Sequence, residues 1–212
     1  MTAQTNQATP SPLTSTDVVT PDCRLSFQSL FKKKPDAPGS EKTSYQATFL
    51  FPPKTDFQPF LAAIKAACIK KFGKFPVPGL KIPIRPCEEK EYAGYDAGWK
   101  FLPTKSEAVV PVVDRQRIPV SEEQGLVYSG CWVKAHLRCY AWSHPTGGKG
   151  VSFELKAVQF IKNDERLDGR GKPSNPDLVF EALELEEGDF GIGSVPPGSD
   201  EGTADDLADL IG

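Results

Sequence analysis

Apolar and polar residues alternate along residues 130–142, and this is the strongest pattern in the chain. Because successive side chains of a β-strand point to opposite faces, the alternation predicts a strand with two chemically different faces. The small apolar face carries Cys131, Val133, Ala135, Leu137, Cys139 and Ala141. The opposite face is aromatic and basic, and it carries Trp132, Lys134, His136, Arg138, Tyr140 and Trp142.

Shorter patterns predict the other elements. Apolar and β-branched runs favour strands over residues 24–31, 44–51, 109–113 and 151–162, the last joined to the long strand as a hairpin. Helical spacing predicts one helix over 56–72, with Thr55 or Asp56 as N-cap, Gly73 as terminator and an apolar stripe of Phe57, Phe60, Leu61, Ile64, Ala67 and Cys68. The proline-rich segment 75–86 is expected at a sheet edge or in a loop.

Together these elements predict a mostly-β fold: an OB-like β-barrel with one main α-helix and flexible termini. Strict alternation in the second arm of the hairpin places Val151, Phe153, Leu155, Ala157 and Gln159 on one face. The other face would then carry Lys156, Phe160 and Lys162. We therefore expect a second aromatic and basic face beside the first.

Charge is divided unevenly between the body and the end of the chain. Residues 181–212 contain ten acidic and no basic side chains, whereas the first 180 contain all 25 Lys and Arg and the other 18 acidic groups. The body is thus formally +7 and the tail −10. A basic body attracts polyanions, and a tethered acidic tail can compete for the same surface. A purely solubilising role for the tail is the alternative.

Composition predicts three regions: a disordered N-terminal arm over residues 1–22, one domain over 23–180 and an acidic, largely disordered tail over 181–212. Five Cys are an odd number without paired spacing, and the opening residues lack a basic, apolar signal segment. A reducing cytoplasm fits these features best, and it would be that of the host cell if the protein is encoded by a phage. No apolar run approaches the ~20 residues that a membrane span needs.

An exposed face of rings among cations suits single-stranded nucleic acid, whose bases stack on flat rings and whose phosphates need positive charge. The loop around 92–101 also interleaves aromatic and basic residues, although some of its rings are expected to cover the core. We expect base stacking by Trp132, Tyr140, Trp142, Tyr95 and Trp99. Phosphate contacts are expected from Lys134, Arg138 and Lys156, and from a predicted loop that contains Lys32, Lys33 and Lys34. On charge alone, this loop is equally compatible with an ordinary solvated loop.

Several segments together resemble the phage-encoded single-stranded-DNA-binding proteins: residues 24–27, 45–53, 128–130 leading into the long strand, 150–159 and the acidic tail. The resemblance implies an OB fold and non-catalytic coating of single-stranded DNA in phage replication and recombination. It also implies that the tail contacts replication proteins, here through Asp205, Asp206, Asp209, Leu210 and Ile211. The tail lacks a terminal aromatic residue, so its apolar anchor would be Leu207, Leu210 and Ile211. The chain would be a monomer or a homodimer.

Other chemistries have weaker support. Cys131, Cys139 and His136 point to opposite faces of one strand and cannot converge with His144 on a zinc ion, so we expect no metal and no cofactor. Residues 147–152 lack the span of a phosphate loop and precede a strand, which favours a hairpin turn. Two alternatives remain: an assembly protein that uses the aromatic face as a subunit interface, and a metal-dependent nuclease or recombination enzyme that uses Asp114 or Asp164. We expect no enzyme activity.

Overall fold

A computed structural model describes residues 13–169, which contain eight strands, one α-helix and a short 3-10 helix at Cys87–Glu89. The helix, α1, spans Gln58–Phe72. The strands are β1 Asp17–Val19, β2 Cys23–Pro35, β3 Thr43–Phe51, β4 Arg85–Pro86, β5 Lys100–Ser106, β6 Val112–Val113, β7 Trp132–His144 and β8 Gly148–Lys162.

The strands pair in a ring. β7 pairs antiparallel with β2, β2 with β3 and β3 with β5, and β8 returns to β7 as the second arm of a long hairpin. β5 and β8 run parallel and share one registered pair, Lys105 with Glu154, so the ring is sparsely bonded at this join. This mostly-β, OB-like fold with one main helix confirms the predicted fold class.

The helix covers one part of the core. Phe60, Ile64 and Cys68 are buried on its inner side, and the Phe60 ring makes edge contacts with Phe51 and Phe153. The helix ends at Gly73, as predicted, but Phe57 and not Thr55 or Asp56 occupies the N-cap position. Asp56 instead accepts a hydrogen bond from the Gln58 backbone N–H at 2.9 Å.

The hairpin confirms alternation in β7 and corrects it in β8. Leu137 pairs with Leu155 while His136 pairs with Ala157, so Lys156 is an extra residue that forms a bulge. Beyond the bulge the alternation is reversed, and Val158 and Phe160 point into the core. The predicted second aromatic face is therefore wrong, because Phe160 is buried.

The N-terminal segment is partly ordered. Asp17–Val19 forms β1 and pairs with residues 136–138 of β7, so for these residues the expectation of disorder is wrong. The physical reason is that Val18 is buried in the core and Asp17 meets the basic residues of β7. Residues 1–12, 170–180 and the acidic tail lie outside the described residues. Within residues 13–169, no helix is long and apolar enough to cross a membrane.

Candidate nucleic-acid interface

Trp132 begins β7 on the outer face of the sheet and stands beside a second indole. The ring centroids of Trp132 and Trp99 are 6.3 Å apart and tilted by 54°. The ammonium group of Lys162, which pairs with Trp132 across the hairpin, lies 4.9 Å from its ring centroid. Both indoles are partly exposed. Two rings and a cation are the components of a stacking site for single-stranded nucleic acid.

Asp164 fixes the orientation of Trp132. The indole Nε1–H donates to Asp164 Oδ2 at 2.6 Å, and Arg24 Nε lies 3.6 Å from the same oxygen. The hydrogen bond from Trp132 is the main reason that the pKa of Asp164 is lowered. Gly130, with φ +116°, lets the chain pass directly against the Glu165 carbonyl oxygen, where a Cβ would collide. The 163–166 segment thus packs closely against the start of β7 and places Asp164 at the indole.

Tyr95 belongs to a small apolar cluster on the same outer face. Arg24 pairs with both Trp132 and Leu50, and Leu50 pairs with Phe101, so these positions share one side of the sheet. The cluster consists of Leu50, Cys87, Tyr95 and Phe101, with Trp99 packed against it. Tyr95 is only 8% exposed, and burial raises its pKa. This burial removes Tyr95 from the exposed stacking surface for which we predicted it.

The other two predicted stacking residues lie at the far end of β7. Tyr140 lies eight positions after Trp132, which corresponds to about 26 Å along a strand. Tyr140 is half exposed. The ring of Trp142 lies on Gly150, and its Nε1–H donates to Ser152 Oγ at 3.0 Å. The structure therefore brings Trp99, Trp132 and Tyr95 together and leaves Tyr140 and Trp142 apart from them.

The three predicted phosphate-binding cations outside the lysine triplet are already paired with carboxylates. Arg138 Nε donates to Asp17 Oδ1 at 2.8 Å, and this contact is the main reason that the pKa of Asp17 falls far below its usual value. Lys134 Nζ lies 3.5 Å from Asp22 Oδ1, and the ammonium group of Lys156 lies 3.1 Å from Glu154. A phosphate at these positions would have to compete with a protein carboxylate.

We predicted a loop for the lysine triplet, and this is wrong. Lys32, Lys33 and Lys34 belong to β2, which continues to Pro35. Lys32 lies 3.0 Å from Glu122 in an exposed ion pair, and the Lys33 ammonium is 5.5 Å from the Tyr45 ring centroid. Lys34 forms no ion pair within residues 13–169. It is therefore the member of the triplet with the freest charge.

Two sets of rings lie next to each other on this face, because Trp99 packs against the cluster that contains Tyr95 and Phe101. We call them together the aromatic ridge, which consists of Trp132, Trp99, Phe101, Tyr95, Tyr92 and Phe27. Tyr95 contacts Phe101 at 5.7 Å and Tyr92 at 5.4 Å, measured between ring centroids. Tyr92 in turn meets Phe27 at 4.9 Å. Phe27 is not among the residues predicted for this surface. Strict alternation after Leu25 would place its side chain on the core side of the strand. Its exposure depends on a bulge that the sequence did not reveal.

The family of the chain follows from comparison with known proteins. Residues 16–190 match the model of the family described as "Enterobacter phage Enc34, ssDNA-binding protein". The chain belongs to the Enc34 family. This membership confirms the resemblance to phage single-stranded-DNA-binding proteins. The matched range includes every residue of the aromatic ridge.

Individual relatives of this Enc34 family member are also phage proteins. The "Putative protein p50" of Acyrthosiphon pisum secondary endosymbiont phage 1 is 32% identical over 162 residues, with 71% of this chain and 86% of that protein covered. The single-stranded DNA-binding protein from bacteriophage Enc34 in complex with ssDNA has a TM-score of 0.60 at 18% identity, with 76% and 98% of the two chains covered. A second structure of the single-stranded DNA-binding protein from bacteriophage Enc34 has a TM-score of 0.58 at 18% identity, with 81% of this chain and 98% of that chain covered. At this identity the structures establish a shared fold.

The residues that could support a metal site or a nuclease in this Enc34 family member do not form such a site within the described part of the chain. Within residues 13–169, no three His, Cys, Asp or Glu side chains are grouped as metal ligands. All five Cys are buried and free, and burial raises the pKa of Cys131 to about 11. Asp114 caps a turn through hydrogen bonds from the Gln116 and Ile118 backbone N–H groups. The two candidate nuclease carboxylates, Asp114 and Asp164, therefore have structural partners.

Proposed function

We propose that this protein binds single-stranded DNA without sequence preference and coats it during phage replication and recombination in the host cytoplasm. The observation that carries the proposal is the Trp99 and Trp132 pair, with Lys162 over the Trp132 ring and Asp164 accepting a hydrogen bond from the Trp132 Nε1–H. This arrangement lies on the outer face of an OB-like sheet in a chain of the Enc34 family. No catalytic step is part of the proposal.

The lack of sequence preference follows from the kind of contact. Every nucleobase has a flat face that can stack on an indole, and the cations meet phosphates that all nucleotides share. Reading a duplex sequence usually requires a helix or strand that enters the major groove. We assign no such role to α1, whose inner side packs against the core.

The direct test is fluorescence anisotropy with a labelled oligo-dT and a matching duplex, measured at several salt concentrations. We expect preferential binding to the single strand, and log K should fall with log salt by about 0.7 per phosphate contacted. Leu61→Ala truncates an exposed apolar side chain on α1 and serves as a control that should bind normally. Oligomers without affinity for oligo-dT would instead support the assembly protein.

The acidic tail is proposed to compete with DNA for the basic body and to recruit replication proteins. The supporting observation is the charge division, +7 in the first 180 residues against −10 in the last 32. Deleting residues 200–212 should tighten oligo-dT binding, most clearly at low salt, because charge competition is screened as salt rises. If affinity is unchanged at low salt, the tail has only a solubility or recruitment role.

A further inference from the structure

Phe27 is the most unusual residue of β2. It is 56% exposed, although it lies in a strand whose neighbours Leu25 and Leu30 are fully buried. Its φ is +44°, a conformation that L residues with large side chains rarely adopt. The pairing with β3 shows why: Ser26 pairs with Thr48 and Ser29 with Gln46, so β2 has one extra residue here and bulges.

The bulge turns Phe27 outward onto the end of the aromatic ridge. Its ring meets Tyr92 edge to face at 72°, and Tyr92 is itself 51% exposed. The buried Tyr95 ring contacts both of them, with centroid distances of 6.2 Å to Phe27 and 5.4 Å to Tyr92. Neither exposed ring therefore contributes a full share of core packing, and core stability does not explain the strained backbone. Such strain is found preferentially at binding sites.

Two cavities meet at Phe27. One, of about 220 Å³, is lined by aromatic side chains of the ridge together with Thr48 and Lys90. That is ample for a flat ring, since a cavity of about 150 Å³ accommodates benzene. The other, of about 400 Å³, is polar, and its lining includes Lys32 and Lys34 together with the carboxylates of Asp168 and of Glu122, which pairs with Lys32. An apolar space beside a polar, lysine-lined one matches the two halves of a nucleotide.

We propose that the Phe27 bulge forms a second base-stacking site, in which a nucleobase packs on Phe27 and Tyr92 while the adjoining phosphate lies near Lys34. The inference rests on the proposed function and deepens it, because it gives the bound single-stranded DNA a path along the aromatic ridge between Trp132 and Phe27. The bound molecule is a nucleotide of single-stranded DNA. Lys34, which has no ion pair within residues 13–169, supplies the charge.

The test compares oligo-dT affinity among folded variants. Phe27→Ala should weaken binding by roughly 5- to 150-fold, the loss of one stacked base, with the slope of log K against log salt unchanged. Phe27→Tyr keeps the ring and should bind like the unaltered protein, as should Leu61→Ala. Lys34→Ala should lower the salt slope by about 0.7, the contribution of one phosphate contact.

Photocrosslinking gives a second measurement that a purely structural role would not change. An oligo-dT that carries 5-iododeoxyuridine should crosslink to peptides containing Phe27 or Tyr92, as mapped by mass spectrometry. If the unaltered protein binds oligo-dT but Phe27→Ala binds equally well and no such crosslink forms, this second site is wrong while the proposed function stands. If the unaltered protein does not bind oligo-dT, both fail.

Discussion

The two faces of β7 differ in nearly every property although they belong to one strand. Val133, Leu137 and Cys139 on the inner face are at most 2% exposed and pack in the main core. On the outer face Trp132 is partly exposed and Tyr140 half exposed. The inner face therefore contributes stability through burial, and the outer face is available for binding. Changes on the two faces should have separable effects.

The outer face is not uniform either. At its start Trp132 joins the aromatic ridge, whereas in its middle Arg138 and Lys134 are bound to Asp17 and Asp22. A cation in an ion pair must exchange one partner for another to bind phosphate, so its net gain is small. The comparison shows that exposure and charge are insufficient to identify a binding residue. The partners of each side chain decide whether it is available.

The largest effect is expected on the inner face. Leu137→Ala should lower the free energy of unfolding by about 2–5 kcal/mol, because it removes a fully buried side chain and leaves a cavity. Urea denaturation measures this loss, and Lys134→Ala on the outer face is the matched control. Oligo-dT affinity of the folded Leu137→Ala protein should be retained. A large loss of affinity in a still-folded variant would contradict the separation of the two faces.

The next largest effect is expected on oligo-dT affinity, when the aromatic residues at the two ends of the outer face of β7 are truncated in turn. Trp132→Ala should weaken oligo-dT binding by about 1–3 kcal/mol, since one stacked base loses its platform. Tyr140→Ala should cost less, because Tyr140 stands apart from the aromatic ridge. Anisotropy titration of both variants at one salt concentration measures the difference. Equal losses would show that bound DNA extends over the whole face.

A smaller effect concerns the ion pair that joins β1 to β7. Asp17→Asn should lower the free energy of unfolding on the order of 1 kcal/mol at neutral pH, because Arg138 is partly exposed and water replaces much of the lost contact. Folding lowers the pKa of Asp17 from about 3.9 in the unfolded chain. Its stabilisation is thus complete above that unfolded value and is lost as the pH falls toward the folded value.

Urea denaturation from pH 7 down to pH 3 checks this dependence. The stability difference between the unaltered protein and Asp17→Asn should shrink as the pH falls below 4. A second carboxylate variant, Asp22→Asn, is the control, because Asp22 and Lys134 are both well exposed and their pair should contribute little. A difference that grew as the pH fell would contradict the assigned direction.

The smallest effect compares Lys34, which has no ion pair among residues 13–169, with the paired Lys134. Lys34→Ala should lower the salt slope of oligo-dT binding by about 0.7, whereas Lys134→Ala should lower it less, because Lys134 is already 3.5 Å from Asp22. Affinity series across ordinary millimolar salt measure both slopes. If Lys134→Ala has the larger effect on the slope, the ion pair opens on binding and the middle of β7 is part of the interface.

Much of the fold could be predicted from local pattern. The alternation in β7, the helix ending at Gly73 and the proline-rich edge near β4 depend on neighbouring residues only, and each agrees with the structure. The bulges at Phe27 and Lys156 could not be predicted, because an extra residue in one strand is defined by the register of its partner. Those bulges buried Phe160 and exposed Phe27.

The sequence by itself determined the mostly-β fold, the apolar and aromatic faces of β7 and the division of charge between body and tail. Tertiary structure alone decided which aromatic residues lie together and which cations are free. Trp99 and Trp132 are 33 positions apart in the chain and meet through the pairing of β2, β3 and β5. Asp17 binds Arg138 because β1 pairs with β7. Such long-range contacts depend on which strands pair and on the bulges that shift their register, and a bulge is defined by both strands of a pair.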